Sequence, residues 1–88
     1  MRMDILKDEK GGYNKVSVLT KTDALNALLY MAESGDVAPD KIRAELEKVS
    51  AMELKREKGG FFGVRGFSVE DTDAYLAKLE AQIEEKLK

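Results

Sequence analysis

Apolar positions recur along this chain at helical spacing in three separate stretches. In the middle, Ile42, Leu46 and Val49 form a narrow stripe with Met52 near its end, and Lys41, Arg43, Glu45, Glu47 and Lys48 fill the positions between. That alternation predicts an amphipathic helix. Pro39 suits its first position, where a missing N–H is no loss. Later, Val69, Thr72, Leu76, Leu79 and Ile83 are spaced 3, 4, 3 and 4 apart, which is the spacing of a coiled-coil seam. Ser68-Val69-Glu70-Asp71 ahead of them supplies a cap, an acidic first turn and a capping box. Leu25, Leu28, Leu29 and Ala32 mark an earlier helical face, with Gly35 as its stop.

The stretches before the first and last helices are related. Leu6-Lys7-Asp8-Glu9-Lys10-Gly11-Gly12-Tyr13 and Leu54-Lys55-Arg56-Glu57-Lys58-Gly59-Gly60-Phe61 are identical at six of eight positions, 48 residues apart. Without a gap the match extends to Val16 with Val64, Leu19 with Phe67, Thr20 with Ser68, and Asp23 with Asp71. It reads as a duplicated supersecondary unit. In each copy, β-forming residues flank a double glycine, which predicts a hairpin. Met3, Ile5 and Leu6 lead into the first hairpin, and Tyr13, Val16, Val18 and Leu19 form its return strand. Thr20 then caps a helix, with Asp23 completing the box. A competing reading starts that helix at Asn14, with Tyr13 stapled to Val18. In the second copy, Met52–Arg56 and Phe61–Phe67 are the strands. The expected architecture is α+β within 1–88: unit one at 3–34, a linking helix at 38–51 and unit two at 52–88. The alternative is a mostly α fold with a coiled-coil C-terminal helix.

Composition narrows the chemistry. The chain has 88 residues, 43% apolar and 36% charged, with net charge −2 and neither cysteine nor histidine. No global field attracts nucleic acid, no disulfide framework is available, and the commonest general base and metal ligand is missing. Gly59-Gly60-x-x-Gly63-x-x-Gly66 has the wrong spacing for a phosphate loop and no lysine-threonine or lysine-serine pair. Arg65-Gly66-Phe67 beside Phe61 and Phe62 matches only half of an RNA-recognition strand. Glu70, Asp71 and Asp73 crowd one helical turn, where capping and the helix dipole account for them. No catalytic residue, metal ligand or cofactor is expected.

Phe61 and Phe62 are the most informative pair. They sit in a glycine-rich stretch flanked by Lys55, Arg56, Lys58 and Arg65. In a strand, neighbours face opposite ways, so one ring is expected in the core and the other outward. An aromatic tip with basic flanks suits an anionic membrane surface. Burial of both rings between the packed repeats is the other reading.

The run from Phe62 through Arg65-Gly66-Phe67, Asp71, Asp73 and Tyr75-Leu76 to Leu79 resembles the motif of the DivIVA family, bacterial cell-division and polarity scaffolds. That motif runs aromatic, short spacer, Arg-Gly-Tyr-Asp, two variable residues, an acid, Val-Asp, one residue, Phe-Leu. Ser68 stands where the family has aspartate and Thr72 where it has valine. The resemblance implies a non-enzymatic, self-associating cytoplasmic scaffold, peripheral at the inner face of the membrane. Phe61, Phe62, Arg65 and Lys58 would meet the membrane or a partner. By its spacing the stripe Val69, Thr72, Leu76, Leu79 and Ile83 is expected either to form a homodimer seam or to pack inside the monomer. The alternative function is a soluble interaction module that binds a protein partner through its aromatic strand edge and last helix.

Overall fold

The computed structural model describes residues 6–88, so Met3 and Ile5 lie outside the described residues. The elements run β1 (Asp8–Lys10), α1 (Lys15–Ser34), α2 (Pro39–Ser50), β2 (Arg65–Phe67) and α3 (Val69–Lys86). Among the described residues, three helices thus accompany a two-stranded antiparallel sheet.

α1 begins at Lys15, which corrects the return strand expected over residues 13–19. Asn14 caps it, its side chain accepting the Ser17 amide at 2.9 Å. Thr20 does not cap anything. Its hydroxyl donates back to the Val16 carbonyl at 2.8 Å, as threonine does inside a helix. Val18 is fully buried while Val16 is 70% exposed. Burial of one helical face outweighs the β preference of Val16, Val18 and Leu19. The caps Asn14 and Ser68 are 54 positions apart, so the helices do not follow the 48-residue repeat.

Among the described residues, neither copy of the repeat closes a hairpin. β1 pairs with β2, Asp8 opposite Phe67, Glu9 opposite Gly66 and Lys10 opposite Arg65. Residues 52–64 hold no strand; Arg56 makes one isolated bridge, to Tyr13. The two copies instead lie against each other. Asn14 N–H donates to the Lys55 carbonyl and Glu57 N–H to that of Gly12, both at 2.7 Å, and Gly11 N–H reaches the Val64 carbonyl at 3.1 Å. They form a collar at one end of the helices.

α1 is the helix on which the other two lean. Val18, Leu25 and Leu28 join Ile42 and Leu46 of α2 and Tyr75, Leu76, Leu79 and Ile83 of α3, with Leu6 and Leu87 completing the core. Of the two readings of the α3 stripe, packing inside the monomer is the one seen here. Thr72, Leu76, Leu79 and Ile83 are all buried and Val69 is half-buried, so α3 has no such seam left for a partner. Lys21 is buried in the same layer. Its ammonium donates to the Ser50 and Met52 carbonyls at 3.1 and 3.0 Å, closing the C-terminal end of α2 with a cation. The molecule is elongated, 48 × 21 × 15 Å.

Candidate functional site

The collar holds one loop away from the body. Its tightness depends on two glycines. A Cβ on Gly66 would land on the Tyr13 carbonyl, and one on Gly12 on the Phe67 carbonyl. Both positions therefore require glycine for backbone to pass backbone. Through that crossing Tyr13 and Phe67 exchange two hydrogen bonds, each 2.9 Å.

Residues 58–64 form the loop. Val64 N–H donates to the Lys58 carbonyl at 2.8 Å, and Gly63 N–H to that of Gly60 at 3.0 Å. Phe61 and Phe62 occupy the turn between, not a strand, which corrects the expectation that one ring enters the core. They are 86% and 87% exposed. Their rings stand edge to face, with centroids 4.9 Å apart. Lys10 anchors the loop, its ammonium donating to the Phe61 carbonyl at 3.3 Å and lying 5.9 Å from the Phe61 ring centroid. Arg65 is exposed and donates to the Asp8 carbonyl at 3.2 Å, and Lys58 is exposed. The structure thus places Phe61, Phe62, Lys58 and Arg65 at one loop. Lys10 was not foreseen; only the pairing of β1 with β2 puts it opposite Arg65.

The motif from Arg65 to Leu76 ties this loop to the helices. Ser68 caps α3, its hydroxyl accepting the Asp71 amide at 3.3 Å. The Asp71 carboxylate accepts the Lys7 amide at 3.2 Å. Asp73 accepts the Tyr13 hydroxyl at 2.8 Å. That hydrogen bond, with burial and the negative charge of Asp73, raises the Tyr13 pKa; the Arg56 guanidinium opposes it. Tyr75 and Leu76 enter the core. Ser68, Asp71 and Asp73 thus fasten the N-terminal segment to α3, Ser68 through its own N–H to the Lys7 carbonyl at 2.6 Å.

No protein family, curated protein or solved structure matches the chain. Among the described residues, no helix is long and apolar enough to cross a membrane. Nor do three His, Cys, Asp or Glu side chains converge on a metal position among them.

Proposed function

We propose that this chain is a non-enzymatic, self-associating adaptor that docks peripherally on an anionic membrane through the Phe61–Phe62 loop. One observation carries the reading: two adjacent phenylalanines stand almost wholly in water at the outer turn of a loop that bears Lys58 and is flanked by Arg65 of β2 and Lys10 of β1. Water disfavours such a pair, and a bilayer interface relieves both its apolar and its charged needs at once. The resemblance to the DivIVA motif supports the same class and links it to bacterial cell division or polarity.

Co-sedimentation with vesicles tests the proposal. The wild type should bind phosphatidylserine-containing vesicles and leave neutral ones, and Phe61→Ser/Phe62→Ser should stay in the supernatant. No binding to anionic vesicles at low ionic strength would transfer the loop to a protein partner, the soluble-module reading.

A further inference from the structure

A second surface complements the loop. Between α3 and the segment Met52–Leu54 lies a cleft of about 420 Å³, where Met52, Leu54 and Ala77 stand beside Glu53, Asp73 and Glu80, with Tyr13, Lys21 and the buried Leu76 completing the lining. It shares Ala77 and Glu80 with a cleft of about 430 Å³ between α2 and α3, where Glu47 and Glu84 stand. The two make one groove along α3. Among the described residues, none of these five carboxylates forms an ion pair. The cations that line the groove are engaged elsewhere. Lys21 is spent on two carbonyls, and Arg43 binds the Leu87 carbonyl at 2.8 Å and faces Asp40 at 3.6 Å.

The loop segment has the opposite chemistry. Residues 55–65 carry Lys55, Arg56, Lys58 and Arg65 against Glu57 alone. Both rings remain exposed, so the loop does not fill its own chain's groove. We infer that, away from a membrane, the Phe61–Phe62 loop of one copy docks in the acidic groove of a second copy. The rings cover Met52, Leu54 and Ala77, and Lys58 and Arg65 meet the carboxylates beside them. Loop and groove are different surfaces, so the contact is heterologous. It propagates head to tail unless two copies close on each other. The inference rests on the loop being a docking element, not on the membrane being its target. Groove and bilayer then compete for the same two rings.

Sedimentation velocity without lipid tests this apart from vesicle binding. At high micromolar concentration and low ionic strength, the wild type should sediment faster than a monomer. It should return to monomer in high salt, because the rim contacts are screened. Phe62→Ser on the loop should weaken assembly roughly 10- to 150-fold, the scale of one lost phenylalanine burial, and Glu80→Lys in the groove should weaken it by setting a cation against the incoming basic loop. Glu53→Lys, at an exposed position outside any helix, serves as a second groove variant, and circular dichroism verifies that all three fold. Mixing Phe62→Ser with Glu80→Lys should restore a heterodimer, since one supplies an intact groove and the other an intact loop. A monomeric wild type, a mixture that stays monomeric, or loop or groove variants that assemble like the wild type would each overturn the inference.

Discussion

Replacing Phe62 by serine should release the protein from anionic vesicles, and the size of the effect follows from the loop. Burying one phenylalanine fully yields about 1.5–3 kcal/mol. At 86% and 87% exposure, Phe61 and Phe62 have nearly all of that available. Because they share a turn, both can enter the interface together, for about 3–6 kcal/mol. Two of the basic side chains near the surface add about 1 kcal/mol each. The sum, roughly 5–8 kcal/mol, corresponds to a Kd between about 0.2 mM and 1 μM. A single copy therefore suffices for measurable binding. Phe62→Ser should raise Kd about 10- to 150-fold, and Phe61→Ser the same, since their exposures are equal. Vesicle titration at low and physiological salt reads the ratio. Two serine variants that bind like the wild type would show that neither ring inserts, and the membrane reading would fall.

Lys21→Met should cost about 2 kcal/mol in urea denaturation, because the Ser50 and Met52 carbonyls lose a charged donor; an unchanged midpoint and slope would refute that role. Thr72 and Thr22 carry buried hydroxyls with no partner among the described residues. Thr72→Val should stabilise by about 1 kcal/mol and raise Tm by roughly 4–8 °C, and a lowered Tm would mean the hydroxyl is satisfied in solution. The Tyr13 pKa is raised chiefly by its bond to Asp73, so the folded state holds that proton more tightly than the unfolded chain. The bond contributes stability below the unfolded value near 10 and loses it as pH rises through the higher folded value. Thermal melts should therefore decline more steeply above pH 10 in the wild type than in Tyr13→Phe, and equal slopes would count against the coupling.

Local signals in the sequence were readable where a helix end satisfies itself. Ser68 caps α3, Pro39 opens α2 and Gly35 closes α1, its N–H donating to Met31 at 3.3 Å. The start of α1 was harder to read. Asn14 and Thr20 are both competent caps, and the choice falls to Val18, whose burial depends on helices far away in sequence. The collar was hidden because its bonds join residues more than forty positions apart. The duplicated segments do meet, but as partners across the crossing. The exposure of both Phe61 and Phe62 follows from that pairing, since it leaves them in a turn. The acids of the groove do carry a sequence signal: Asp73, Glu80 and Glu84 recur at helical spacing on one side of α3.

The collar also fixes an order of events. α1 and α2 are joined by four residues, so their packing forms at short range. Lys10 and Arg65, opposite each other in the sheet, are 55 positions apart, and closing so long a loop delays the contact. The exposed loop is held by that late closure and has little core of its own, so it should open without melting the helices. Hydrogen exchange would then show the amides of Tyr13, Gly63 and Val64 exchanging ahead of those of Leu25 and Leu79, and equal protection would refute this order. A growing chain has no docking surface until Phe67 is free to pair, which keeps two bare phenylalanines unorganised until β2 has joined β1.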